Sequence, residues 1–103
     1  MKTNDAGEQV GVPIGDTLKQ RGNRYGKFFN HAELSQELKS SFNDHVIRWG
    51  NPQAFTKSMH ESIDMIMHKL ARIANGDPTY DDNWRDIAGY AQLIVDELNN
   101  HDR

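Results

Sequence analysis

A small all-α protein is what this sequence predicts, and three observations carry the prediction. Apolar residues recur at intervals of three and four in three successive stretches, no stretch sustains the two-residue alternation of a strand, and Gly, Pro and Asn separate the stretches. The expected architecture is a compact helical bundle of three main helices plus a short N-terminal helix, completed by oligomerisation. The expected organisation is a flexible arm over residues 1–13, a single all-α domain over 14–99 and a frayed tail over 100–103.

The arm sets Gly7, Gly11 and Pro13 among polar residues. Ile14 to Gln20 has the length of a helical turn or two. From Arg21 to Phe29 the chain reads Arg-Gly-Asn-Arg-Tyr-Gly-Lys-Phe-Phe, with three cations and three aromatics among nine residues. One reading is a phosphate- or base-binding loop, with cations for phosphate oxygens and Tyr25 or Phe28 to stack on a base. The other is a loop whose aromatics anchor it to the core while its cations stay in water.

Ala32, Leu34, Leu38, Phe42, Val46 and Trp49 fall on one side of the next helix. Asn30 is its expected N-cap, with Glu33 three positions on, and Gly50-Asn51-Pro52 ends it. The second main helix is expected to start at Asn51 or Pro52 and run to about Ala74. Its stripe is Phe55, Met59, Ile63, Ile66, Leu70 and Ile73, spaced by four, four, three, four and three. Asn75-Gly76 then supplies a C-cap and Asp77-Pro78 prevents continuation. The last helix is expected from a cap at Asp81 or Asp82 to about Asn99, with a core stripe of Trp84, Ile87, Ala88, Ala91, Val95 and Leu98.

A chain of 103 residues, 36% of them hydrophobic, is one domain with a modest core, and such domains often complete their burial by pairing. A homodimer or higher homo-oligomer is therefore expected. The net charge of −3 supplies no global cationic field, which argues against a protein that grips nucleic acid through phosphates. With no cysteine, disulfides, thiolate nucleophiles and cysteine-ligated zinc are excluded. No apolar run approaches the roughly 20 residues of a membrane span, so no membrane partner and a cytoplasmic location are expected.

The chemistry is concentrated around the turn between the last two helices. Glu61 and Asp64 stand one helical turn apart before it, Asp82 and Asp86 one turn apart after it. Antiparallel helices could set these pairs face to face, and carboxylates at such spacing suit Mg²⁺ or Mn²⁺, which bind a few carboxylate oxygens plus water and substrate phosphate. Glu61, Asp64 and His68 share one face of their helix with Met65, Met67 and Ala71 beside them, an apolar setting for carboxylates. The competing reading makes them ordinary polar residues. Asp82 then only caps a helix, Asp64 only pairs with His68 and Arg72, and Asp77 only makes the turn with Pro78.

Glu61-x-x-Asp64, a helix end, and then Asp82-Asn-Trp-Arg-Asp86-Ile-Ala-Gly-Tyr90 resemble the signature of the all-α nucleoside triphosphate pyrophosphatases, the superfamily of MazG-like and dimeric dUTPase proteins. The stretch from about Gln20 to Leu98 also resembles a group of small phage and prophage proteins of unassigned function. The first resemblance implies a Mg²⁺-dependent nucleotide pyrophosphohydrolase with Glu61, Asp64 and Asp86 as catalytic residues. It further implies Glu61, Asp64, Asp82 and Asp86 around the metal, and Arg24, Tyr25, Lys27, Lys69 and Arg72 toward the nucleotide. Phage origin would place it in the cytoplasm of a bacterial host. The family pattern has Glu where Asn83 stands and usually Glu where Asp64 stands. Asn83 motivates the alternative, a catalytically inactive protein of the same fold that binds or sequesters a nucleotide or inhibits a host protein.

Overall fold

The structure, a computed structural model, describes residues 27–100. These form α1 (Phe28–Trp49), a single 3₁₀ turn (Pro52–Ala54), α2 (Lys57–Asn75) and α3 (Asp81–Leu98), with no strand among the described residues. The three main helices match the periodicity. The arm, the short N-terminal helix expected over 14–20 and the tail residues 101–103 lie outside the described residues.

Three helix starts differ from expectation for physical reasons. α1 is already helical at Asn30, and Lys27 occupies the cap position with no side-chain bond. The Asn30 carbonyl instead accepts from Asn75 Nδ2 at 3.4 Å, tying the start of α1 to the end of α2. The second main helix does not start at Pro52. The 3₁₀ turn stops at Phe55, which is extended (φ −86°, ψ 124°) and sets its ring edge-on to Phe42 at 6.0 Å. Thr56 then caps α2, its Oγ1 accepting from the Met59 N–H at 3.1 Å. At α3 the cap position is Tyr80, with no side-chain bond, and the expected caps Asp81 and Asp82 stand inside the first turn, where their charge suits the positive end of the helix.

Both exits follow the Gly and Pro signals. The Gly50 N–H donates to Val46 O at 2.9 Å, and a Cβ there would stand 3.1 Å from that carbonyl oxygen. After α2, Asp77 Oδ1 accepts from the Thr79 N–H at 2.9 Å and the Tyr80 N–H bonds Asp77 O at 3.1 Å. Trp84 Nε1 donates back to Pro78 O at 2.9 Å, locking the turn to α3. α3 therefore returns antiparallel along α2.

The arrangement is a layer with α2 in the middle: α1 and α3 each pack on α2 and scarcely on one another. On α1 most of the expected stripe faces inward, with Val46 buried and Ala32, Leu34, Leu38 and Phe42 half-buried, but Trp49, in the last turn before the Gly50 exit, is 73% exposed. The buried residues of α2, which packs on both neighbours, are Ser62, Lys69 and Ala71, and two of these are small side chains of the kind that let backbones approach. The six-residue α2 stripe lies beside these buried residues, and Leu70 remains 39% exposed.

α3 requires the larger correction. Trp84, Ala88, Ala91, Val95 and Leu98 are exposed, and only Ile87 of the expected core stripe faces α2. Asn83, Tyr90 and Ile94 join Ile87 at that contact. The apolar arc of α3 spans about 160° at 100° per residue, wider than one neighbouring helix can cover. Among the described residues, only Val46 and Ala71 are buried apolar side chains, against nine large exposed ones. No described helix is long and apolar enough to cross a membrane.

Candidate functional site

The antiparallel return of α3 places Glu61, Asp64, Asp82 and Asp86 on one side of the α2/α3 pair, the side on which α1 lies. The residues of that side are polar because they point away from both apolar stripes. Glu61 is exposed, and Asp64 is half-buried toward α1. Asp82 is exposed and accepts from the Tyr80 hydroxyl at 2.8 Å.

Asp86 has the most specific setting of the four. Its Oδ2 lies 2.8 Å from the ammonium of Lys69, whose side chain is 11% exposed against 49% for Asp86. The stem of Lys69 runs through the α2/α3 contact, and its charge emerges beside the carboxylate. Lys69 therefore neutralises a protein carboxylate and does not stand free for phosphate. Asn83, one turn before Asp86, is 1% exposed, and its Nδ2 has no hydrogen-bond partner among the described residues.

The Lys69–Asp86 pair also fixes the register of the two helices. Glu61 and Asp64 stand eight and five residues before Lys69, so they lie about 12 and 7.5 Å further along the axis at 1.5 Å per residue. The turn at Asp77 is too tight to slide them level with Asp86. Among the described residues no three His, Asp or Glu side chains gather into a group that could hold a metal ion.

Around the corner from Asp86, α3 presents an open groove of about 380 Å³ lined by Arg85, Asp86, Gly89, Tyr90 and Leu93. Gly89 faces open space in it, since a Cβ there would meet nothing within 4 Å. Arg85 lies at its rim and is held by Asp81, with Nε 2.9 Å from Oδ2. A guanidinium, an aromatic ring and a carboxylate around one open space offer a phosphate contact, a stacking surface and a polar anchor. Of the other residues expected near substrate, Lys27 is exposed at the start of α1 and Arg72 is half-buried on α2, while Arg24 and Tyr25 lie outside the described residues.

A second polar cluster joins α1 to α2. His31 Nε2 and His68 Nδ1 stand 3.1 Å apart with the rings edge-on and their centroids 4.3 Å apart. One proton shared between them makes one ring the donor and the other the acceptor. His68 is pushed down to about 4 by burial first, then by His31 and by the cations Arg72, Lys69 and Lys39. His31 is lowered by burial first and by Arg72, Lys39 and Lys69. Its Nδ1 is buried without a hydrogen-bond partner among the described residues. The periodicity held the signal for this pair, since His31 falls among Leu34, Leu38 and Phe42 on the inward face of α1.

No protein-family model matches the chain, and comparisons with curated proteins and with solved structures find no significant match. The functional reading therefore rests on the residues themselves.

Proposed function

We propose that this chain binds a nucleotide in the groove on α3, as a member of the all-α nucleotide pyrophosphohydrolase design that retains binding without hydrolysis. The observation that carries the reading is the groove itself. Arg85 is held by Asp81 through Nε but its side chain is 76% exposed, unlike that of Lys69, so its guanidinium would still reach a phosphate; Tyr90 would stack on the base, and Asp86 is paired with Lys69 at the groove's edge. Acidic neighbours make Mg²⁺ or Mn²⁺ a natural companion of the bound phosphate, since the cation offsets the repulsion between phosphate and carboxylate. Acting as a homodimer or higher homo-oligomer in the cytoplasm of a bacterial host, such a protein would sequester a nucleotide. A nucleotide-dependent hold on a host protein is the other outcome of the same binding.

The hydrolytic form of the proposal, a Mg²⁺-dependent pyrophosphohydrolase, draws on Glu61, Asp64, Asp82 and Asp86 sharing one side of the α2/α3 pair. Against it stand the ion pair that occupies Asp86, the axial offset of the first acidic pair, and Asn83 in place of a carboxylate. Calorimetry of the full chain with a panel of dNTPs and NTPs, with and without Mg²⁺, tests the reading. Binding without pyrophosphate release is expected. Tyr90→Ala should weaken it by roughly 5- to 150-fold, the equivalent of about 1–3 kcal/mol for a stacked base. Pyrophosphate release would restore the enzyme, and no binding of any nucleotide would remove both forms.

A further inference from the structure

We propose that the outer face of α3, with the adjoining edge of α2, is the interface of a homodimer in which α3 packs antiparallel against α3 of a second copy. The proposal stands apart from the nucleotide reading, because its surface lies on the opposite side of the α2/α3 pair from Asp86.

Residues of antiparallel helices wind in opposite senses about the pair. The exposed edge of α2 at Leu70 and the exposed stripe of α3 are displaced the same way from the contact line, so they open on the same side. Together they make one apolar face carrying four of the nine large exposed apolar residues, namely Leu70, Trp84, Val95 and Leu98. Ala88 and Ala91 fill its centre, and no charge interrupts it.

The stripe has the form of a self-complementary seam. Its residues Trp84, Ala88, Ala91, Val95 and Leu98 are spaced by four, three, four and three, the heptad interval of a helix that packs lengthwise on another. A two-fold axis between Ala88 and Ala91 sets the two alanines of one copy against those of the other and Trp84 against Val95 of the partner. Small residues meet at the crossing, where the helices come closest, large meet medium on either side, and at each end Leu98 falls beside the partner's Asp81, a carboxylate already held by Arg85 of its own helix. The parallel alternative would stack Trp84 on its own copy and bring the two Asp81-Asp82 pairs together, like charge on like. A second copy matches this surface in its heptad spacing and in its symmetry about the Ala88–Ala91 centre.

Sedimentation equilibrium on the full chain, without nucleotide, tests the assembly. A mass of twice 11.8 kDa at micromolar concentration is expected, and a monomer at about 100 µM would overturn the proposal. Val95→Glu should raise the dissociation constant at least about 100-fold while leaving the helical circular dichroism intact, because the residue is already exposed in the single chain. Ile47→Glu, on an exposed apolar residue of α1 off the seam, should leave the dimer unchanged. The chain has no cysteine, so single cysteines report the register. Ala91→Cys should cross-link on oxidation and Trp84→Cys should not, since an antiparallel pair holds the two copies of position 84 about 16 Å apart along the axis. Equal cross-linking at both positions, or a dimer indifferent to Val95→Glu, would overturn the interface.

Discussion

The ion pair between Lys69 and Asp86 predicts an asymmetry that a simple tally of contacts does not. Removing Asp86 leaves an ammonium whose side chain is 11% exposed without its partner; removing the charge of Lys69 leaves a carboxylate that is 49% exposed and able to rehydrate. Breaking a fully buried pair costs about 3–5 kcal/mol, and the half-open carboxylate end reduces that here, so Asp86→Ala is expected to cost about 2 kcal/mol. In Lys69→Met the new side chain fills the space of the lysine stem, and the expected change is within about 1 kcal/mol of the parent. The double variant should recover most of the loss, because no charge is then stranded. For a domain of this size a 2 kcal/mol loss lowers the midpoint of thermal unfolding by roughly 8–16 °C. Thermal and urea unfolding of the four proteins, followed by circular dichroism, gives the coupling energy of the cycle. Lys69→Met costing as much as Asp86→Ala, or additive losses in the double variant, would refute the argument. The result also bears on function, since lost binding in Asp86→Ala can be read only at temperatures where that variant remains folded.

Three further predictions address other parts of the molecule. Because the folded protein holds His31 and His68 neutral, the unfolded chain takes up protons first; stability should be full above the ordinary histidine value of 6.5 and fall as pH drops toward about 4. A loss of roughly 1–2 kcal/mol, after allowance for solvent screening, should appear in urea midpoints between pH 7 and pH 4.5, and His68→Gln should flatten the dependence. Asn83→Glu restores the acidic pattern but puts a carboxylate at a position 1% exposed, so it should cost about 2–3 kcal/mol in metal-free buffer; a rise in melting temperature specific to Mg²⁺ or Mn²⁺ would support a metal-holding ancestry for the site. Gly89→Ala should raise stability by roughly 0.5–1 kcal/mol in thermal unfolding, as the helix gains a better former and the new methyl group meets nothing within 4 Å.

The sequence made the helices legible and their partners much less so. Phe42 and Val46 face inward where the periodicity of α1 places them, because that helix has one neighbour and one stripe. On α2 and α3 the same reasoning fails for a physical reason: a helix with two neighbours, or with one neighbour and an open apolar face, has no single inward direction. Leu70 and Trp84 were expected in the core for their hydrophobicity, yet Ser62 and Asn83 occupy the contact, where small or hydrogen-bonding side chains suit two close backbones. The candidate site divides in the same way. The shared face of Glu61 and Asp64 follows from spacing alone, but the axial offset from Asp86 depends on the Asp77 turn and the Lys69 pair, which no single-helix pattern contains.

The α2/α3 pair thus has two unlike sides, and their separation constrains how binding and assembly can be linked. Asp86, Arg85 and Tyr90 lie toward one side, and the Trp84 to Leu98 stripe lies toward the other, so neither surface supplies a residue to the other. A nucleotide could influence assembly only by shifting α3 on α2, and the Lys69–Asp86 bond with the Trp84 indole bound to Pro78 O resists such a shift at the end nearest the turn. Coupling between two sites is reciprocal. If the two surfaces are independent as their placement implies, Val95→Glu should leave nucleotide affinity unchanged, and saturating nucleotide should leave the dimer dissociation constant unchanged. A change in either measurement would locate a movement of α3 that the turn contacts were expected to prevent.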